Sequence, residues 1–149
     1  MNISNTNIEP AEICKELLNK MEKDGDACGI YSNDTVAFHK ARGVKPMVDF
    51  WSCGDLEKAI VCDKVIGKAS AMFLVSGGAK YAYGKVMSKL ALDFLNKNNL
   101  ECDCERLVDK IKNREGDGLC PMESAVADIN DLDTGIEKVI IKMNELGIK

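Results

Sequence analysis

The sequence predicts an α/β protein in three α/β/α layers, with a mixed sheet between helices. Three observations carry this prediction. Amphipathic helical segments alternate with short strand-like runs along the chain. A β-hairpin pattern precedes these alternating elements near the amino terminus. The β–α–β order that follows the hairpin requires parallel neighbours in the second half of the sheet.

The first half of the chain predicts a helix, a β-hairpin and a short helix. Pro10 suits a first helical turn because it has no N–H to satisfy, and apolar residues follow it at helical spacing. Asn33-Asp34 is a turn sequence between two strand-like runs. Gly54 ends the short helix that Pro46 opens. The predicted bounds are 10–23 for the first helix and 27–31 and 35–39 for the strands.

The second half predicts strands that alternate with helices. The apolar run 59–62 fits a central strand covered on both faces. Gly78 closes the helix that follows, and Ser88 caps the next one. Thr134 and Glu137 form a capping box for the last helix. The predicted bounds are 56–62, 80–86 and 100–108 for the strands, 65–75 for the helix after the central strand, and 134–149 for the last helix.

Length and composition are typical of one globular domain. The chain has 149 residues, of which 46% are apolar and 30% charged, so it can form a core without disulfides. We expect a single domain over 1–149 with a loose tail at 1–8. The 20 basic residues against 24 acidic ones give a net charge of −4, which argues against a nucleic-acid partner.

The cysteine and hydropathy patterns predict a cytoplasmic protein. Seven cysteines cannot all pair within one chain, and the first residues lack the basic start and apolar block of a secretion signal. No apolar run reaches the roughly 18 residues that cross a membrane. We therefore expect free thiols in a reducing cytoplasm and no membrane partner.

The first candidate site is the segment 62–68. We predict that a strand ends at Asp63 and that a helix begins about one residue later, where unpaired N–H groups suit an anion. Lys64 and Lys68 would add positive charge, and Gly67 would let a ligand or a neighbouring strand approach closely. In the simpler alternative, Asp63 is an N-cap, Gly67 is a packing position and both lysines are solvated.

The second candidate site is the loop 42–46. Arg42 and Lys45 lie on either side of Gly43, and two cations around a glycine could hold a phosphate or a carboxylate. The alternative is an ordinary exposed loop.

The third candidate site is a polar, glycine-bearing segment that leads into a short helix. Pro121 at the first helical position puts Cys120 at the N-cap, where the pKa of a thiol falls. Cys120 could then act as a nucleophile or accept a covalent modification. Glu123 stands where a capping-box carboxylate would stand, and Asn113 and Arg114 supply further polar groups. In the alternative interpretation, the segment has no chemical role and is only the capped start of a helix.

No metal and no cofactor are expected. The chain has one histidine, His39. A zinc deaminase requires His-x-Glu followed by Pro-Cys-x-x-Cys. Here Ala41 stands two residues after His39, and no Pro-Cys-x-x-Cys occurs.

Three stretches in this order, 42–46, 63–69 and 113–123, resemble a small prokaryotic family of unknown function that has the cytidine-deaminase-like fold. The predicted element order is also that of this fold, and the resemblance covers roughly residues 27–127. It implies that the loop 42–46 and the turn 63–68 stand where true deaminases hold zinc. Because protonated lysine cannot bind a metal, the resemblance implies a deaminase scaffold that has lost zinc.

The leading functional hypothesis is a non-metal protein that binds a nucleotide-like or phosphorylated small molecule. Asp63 would accept a hydrogen bond from a hydroxyl or a ring N–H. Four cations would neutralise the ligand's charge: Arg42, Lys45, Lys64 and Lys68.

Two alternatives remain open. The first is an enzyme in which Cys120 is a nucleophile or redox thiol, while Asp63, Lys64 and Glu123 move protons. The second is a partner-binding module without a small ligand. Analogy with other proteins on this scaffold also suggests a homodimer.

Overall fold

Five strands form one sheet in the computed structural model, which describes residues 9–113 and 115–148, and six helices pack around it there. The elements in chain order are α1 (Pro10–Asp24), β1 (Cys28–Ser32), β2 (Thr35–His39), α2 (Lys45–Ser52), β3 (Ile60–Ile66), α3 (Lys68–Gly77), β4 (Tyr81–Ser88), α4 (Lys89–Lys97), β5 (Glu101–Val108), α5 (Pro121–Val126) and α6 (Leu132–Glu145). The predicted tail at 1–8 and Arg114 lie outside the described residues.

The strand order across the sheet is β2-β1-β3-β4-β5. β1 is antiparallel to both β2 and β3, whereas β3, β4 and β5 are parallel. This arrangement confirms the predicted α/β class, the amino-terminal hairpin and the parallel second half.

The sheet separates two apolar cores, and successive side chains of β3 point into one core or the other. Val61 faces the larger core, between the sheet and the helices α2 to α6, while Ile60 and Cys62 face a smaller core beneath α1. In α3 every residue from 68 to 74 is buried. Each large apolar side chain buried there contributes about 1.5–3 kcal/mol to stability. α3 is thus the central helix of the larger core, and its amino-terminal end is buried.

Local turn and cap chemistry agrees with the sequence prediction. Asn33 and Asp34 both have left-handed backbone, with φ of 52° and 61°, which matches the twist of a two-residue hairpin turn. The Ser88 hydroxyl oxygen accepts a hydrogen bond from the N–H of Ala91 at 3.1 Å and so caps α4.

The boundary between β3 and α3 differs from the prediction of a strand over 56–62. Pairing with β4 continues through Val65, which lies opposite Val86, so the strand occupies the predicted helix start. α3 begins only at Lys68. As a consequence Asp63 lies inside a central strand and is not a helix N-cap.

The start of the last helix also differs. α6 begins at Leu132, and its cap is Asp131, whose Oδ2 accepts a hydrogen bond from the N–H of Thr134 at 2.9 Å. The predicted capping box of Thr134 and Glu137 is therefore wrong. Asp131 precedes the helix by one residue, which is the position from which a side chain reaches the free N–H groups.

Candidate functional site

The strand register places three polar side chains next to one another: His39 of β2, Cys28 of β1 and Asp63 of β3. Cys28 lies opposite His39 on one side and opposite Asp63 on the other. Directly opposed residues point to the same face of a sheet, and Cys28 faces the larger core. We call these three residues the polar row. Because adjacent strands lie about 4.8 Å apart, the row spans roughly 10 Å beneath α2 and α3.

Asp63 is the buried carboxyl of the polar row, with only 4% of its surface exposed. Its Oδ1 accepts a hydrogen bond from the N–H of Val65 at 3.2 Å. Its Oδ2 is buried and has no hydrogen-bond partner among the described residues. Burial raises the pKa of Asp63 to about 8, against the opposing effect of the Val65 and Lys64 N–H groups and the Cys28 thiol. The protonated form therefore predominates at neutral pH and can donate a hydrogen bond.

Cys28 is a neutral thiol in this setting. It is fully buried, and burial, followed by the neighbouring carboxyl of Asp63, raises the pKa of Cys28 well above its usual value. A thiol held neutral is a poor nucleophile. Cys28 thus contributes packing and a neutral thiol beside Asp63, not covalent chemistry.

His39 is held in one tautomer by its neighbours. Nδ1 accepts a hydrogen bond from the N–H of Ala41 at 3.1 Å. The proton of the neutral ring is therefore on Nε2, which donates to Oδ2 of Asp49 at 2.7 Å. Both ring nitrogens are engaged, so His39 orients the loop after β2 and offers no free base.

Asp49 of α2 contacts both His39 and Lys45. Besides His39, it binds Lys45, whose Nζ lies 2.9 Å and 3.1 Å from its two carboxylate oxygens. Burial tends to raise the pKa of Asp49, but the hydrogen bonds from His39 and Lys45 outweigh burial and hold the pKa below its usual value. Asp49 therefore stays ionised and compensates part of the charge of Lys45.

Glu123 of α5 occupies the amino-terminal end of α3. Its two carboxylate oxygens accept hydrogen bonds from the N–H groups of Lys68, at 2.7 Å, and Ala69, at 3.0 Å. A side chain on Gly67 would overlap this carboxylate, so the position requires glycine. Burial raises the pKa of Glu123, opposed by the N–H groups of Ala69 and Lys68. The N–H groups that we expected to bind a ligand anion are thus satisfied from within the chain.

Lys68 is not available to a ligand in this structure, contrary to its predicted role. Only 3% of its surface is exposed. Its Nζ donates to the carbonyl oxygen of Ala127 at 3.2 Å and to Oδ1 of Asn130 at 3.3 Å. Burial lowers the pKa of Lys68. The side chain fastens α3 to the segment between α5 and α6.

The second candidate site lies beside the polar row. The loop 42–46 follows directly after His39 and leads into α2. Arg42 is exposed, and Gly43 has left-handed backbone with φ of 75°. Lys64 is half-buried within β3. Of the four predicted cations, Arg42 is therefore the most exposed, and it lies near the His39 end of the polar row.

The third candidate site is only partly assembled. Asn113 forms a small loop with Asp117 through two hydrogen bonds between them. Cys120 is half-buried at the N-cap of α5, and its side chain forms no capping hydrogen bond. Glu123, one turn later, points to α3 instead of capping its own helix. The structure thus joins the first and third candidate sites through Glu123.

Sequence reasoning missed Cys28, His39 and Asp49 as members of the site. One signal was available for the first two. A two-residue turn at 33–34 fixes the hairpin register, and this register alone sets Cys28 opposite His39. Asp63 lies 35 residues after Cys28 in the sequence, so the pairing of these two residues depends on a separate strand and leaves no such signal.

Residues 9–113 and 115–148 make up the described part of the chain. Within it, no group of three His, Cys, Asp or Glu side chains is arranged to hold a metal ion. Across the same residues, no helix is both long enough and apolar enough to cross a membrane.

Fold and site together define an α/β protein with a mixed five-stranded sheet and a buried carboxyl at its centre. The chain belongs to the TM1506 family, described as a domain of unknown function (DUF1893), whose model matches residues 16–143. It is similar to the crystal structure of a DUF1893 family protein (TM1506) from Thermotoga maritima, with a TM-score of 0.82 and 26% identity over 95% of this chain and 97% of that one. No curated protein matches the chain.

Proposed function

We propose that this protein binds a small, nucleotide-like or phosphorylated molecule at the polar row, on a cytidine-deaminase-like scaffold without zinc. The observed element order supports the finer assignment of the scaffold, because a hairpin is followed by alternating helices and parallel strands. The seven cysteines are all free, which supports a place in the reducing cytoplasm.

One observation carries the proposal: the buried Oδ2 of Asp63 without a partner among the described residues. An unsatisfied buried polar group costs about 1–3 kcal/mol, and folded proteins rarely retain one without a reason. A ligand carbonyl or ring nitrogen that accepts a hydrogen bond from the protonated carboxyl would remove this cost. Asp63 thus donates a hydrogen bond to the ligand, whereas we expected from the sequence that it would accept one, because burial raises its pKa to about 8.

The anionic part of the ligand would lie towards the loop 42–46. The polar row places His39 roughly 10 Å from Asp63, and the loop continues directly from His39. Arg42 has no ion pair among the described residues, while Lys45 shares its charge with Asp49. A ligand that reaches from Asp63 to Arg42 would therefore bind both the carboxyl that donates a hydrogen bond and a cation that forms no ion pair with the described residues.

The residues at the two deaminase-like zinc positions do not fit a zinc ion. The loop 42–46 offers Arg42 and Lys45. The turn 63–68 offers Lys64, Lys68 and Asp63, whose carboxyl is buried and has a pKa raised to about 8. The Glu123 carboxylate is already engaged by the N–H groups at the start of α3. None of these groups is a thiolate or a free imidazole, the ligands that zinc prefers in proteins. We therefore assign no step to zinc-activated water.

The alternative role of Cys120 as a nucleophile gains no support from its surroundings. The residue precedes a helix of only six residues. Glu123, which would have moved protons beside it, is engaged with α3. The alternative stays a prediction, and thiol labelling tests it directly.

A thermal-shift screen with nucleotides and sugar phosphates tests the proposal. A ligand at about 100 times its Kd stabilises the folded state by about 2.7 kcal/mol. We expect at least one compound to raise the Tm of the wild type, the Asp63→Asn variant to retain part of the shift, and Asp63→Leu to lose it, because asparagine keeps a donor and leucine does not.

The matched control is Asp26→Asn. Asp26 is also buried, but its carboxylate is paired with Lys40 at 3.3 Å, so its replacement should leave the ligand shift unchanged. A screen in which no compound raises the Tm would contradict the proposal. An equal shift in wild type and Asp63→Leu would contradict the role of Asp63.

A further inference from the structure

α1 leaves part of its face of the sheet uncovered. The helix packs on the amino-terminal halves of the strands, at Ile60, Cys62 and Tyr81. Further along, Val65 of β3 is 40% exposed, and it lies in register with Val86 of β4 and, through it, with Arg106 of β5. An open area with an apolar floor therefore lies at the carboxyl ends of the three parallel strands.

Residues 108–112, at the end of β5 and after it, form a wall beside this open area, which is therefore a groove. Its volume is about 750 Å³, within the range of small-molecule sites. The main-chain carbonyl of Ile111 accepts a hydrogen bond from the N–H of Cys120 at 3.0 Å, which holds the wall in place. The apolar lining residues are Val65, Val86, Val108 and Ile111.

The charge of the groove is opposite to that of the chain. Arg106, Lys110 and Lys112 line it, and none of them forms an ion pair with another described residue. Asp109 also lines the groove, and its carboxylate forms an ion pair with Lys89 of α4 at 2.7 Å. Three cations without an ion pair among the described residues thus line a groove with an apolar floor, in a protein whose net charge is −4.

We propose that this groove is a second binding site, for a small phosphomonoester carried on an apolar or aromatic body. The Arg106 guanidinium would bind two phosphate oxygens, with Lys110 and Lys112 around them. The apolar body would lie on Val65 and Val86. In open α/β sheets ligands bind beyond the carboxyl ends of the strands. Ile66 and Met87, the residues that follow Val65 and Val86, point into the larger core, so Val65 and Val86 face the other side of the sheet from the polar row.

An NMR titration with naphthyl phosphate tests this site, since the probe has both required parts. We expect saturable shifts of the backbone amides of Val65, Val86 and Arg106. Naphthol alone and inorganic phosphate alone should each bind at least about tenfold more weakly, because each makes only half of the contacts.

Charge-removing variants make the test specific. Arg106→Gln should weaken binding of naphthyl phosphate by about tenfold or more. Lys112→Gln, on the exposed wall, should weaken binding of naphthyl phosphate by a smaller factor. This variant replaces Arg106→Gln in the test if Arg106→Gln does not fold. Lys80→Gln removes the same charge from an exposed site at the amino-terminal end of β4 and should have no effect.

Three results would overturn the second site. The first is the absence of saturation up to about 10 mM probe. The second is unchanged binding in both groove variants. The third is a set of shifts confined to the loop 42–46 and Asp63, which would leave the proposed function standing while removing the groove.

Discussion

Glu123 and Gly67 are complementary: the Glu123 carboxylate reaches the first N–H groups of α3 only because Gly67 has no side chain. The helix therefore carries its own anion at its amino-terminal end, where the macrodipole stabilises negative charge. This contact also fastens α5 to the central helix. Ligand recognition in our account consequently rests on Asp63 and the loop 42–46, not on the α3 terminus.

Replacement of Gly67 by alanine should destabilise the protein. The added methyl group overlaps the Glu123 carboxylate and forces it away from the N–H groups, so we expect a loss of about 2–3 kcal/mol in the free energy of unfolding. Urea unfolding measures this loss. Gly118→Ala is the control, because that glycine is exposed and its added carbon would lie 3.5 Å from the nearest side-chain atom.

A double-mutant cycle identifies the cause of the Gly67 effect. If the overlap with Glu123 is the cause, Gly67→Ala should cost much less in a Glu123→Ala background than in the wild type. Purely additive costs would show that Gly67 is needed for another reason.

Replacement of Asp63 by asparagine should flatten the dependence of stability on pH. The pKa of Asp63 is about 8 in the folded protein, against 3.8 for an ordinary aspartate. Between these values the folded state holds a proton that the unfolded state has lost. The carboxyl thus stabilises the fold most below about pH 4, and its contribution falls by up to about 1.4 kcal/mol per pH unit until about pH 8.

Urea unfolding at about pH 5 and about pH 7.5 measures this slope. Asparagine cannot titrate, so the variant should lose less stability over this interval than the wild type does. The raised pKa of Glu123 adds a slope of the same sign to both proteins. Equal slopes in wild type and Asp63→Asn would refute the assignment of a protonated carboxyl.

The tautomer of His39 is a further expected outcome. Because the N–H of Ala41 donates to Nδ1, the neutral ring should carry its proton on Nε2. The nitrogen chemical shifts of the imidazole distinguish the two tautomers. Asp49→Asn, which weakens the partner of Nε2, should reduce this preference, and a proton found on Nδ1 would be incompatible with the loop geometry.

Thiol labelling should follow burial. Cys53 is exposed, Cys120 is half-buried, and Cys28 is fully buried with a raised pKa. We expect iodoacetamide to modify Cys53 first at neutral pH and Cys28 last. In the Cys53→Ser variant, all of the remaining thiols should be labelled slowly. Faster reaction at Cys120 than at Cys53 would instead revive the hypothesis of a nucleophilic Cys120.

The features that the sequence predicted correctly are local. The hairpin turn at Asn33 and the cap at Ser88 need only a few neighbouring residues, so their chemistry is visible in the sequence. The carboxylate at the start of α3 comes from Glu123, 55 residues from Lys68. The end of β3 is set by pairing with β4. Such long-range contacts override local patterns, which explains why Asp63 was expected at a helix start.

Native mass spectrometry of the freshly purified protein shows whether a small molecule is bound. We predict that the wild type carries a small molecule that dissociates on denaturation, and that Asp63→Leu carries none. A wild-type mass equal to that of the bare chain, and unchanged after incubation with nucleotides and sugar phosphates, would contradict the account.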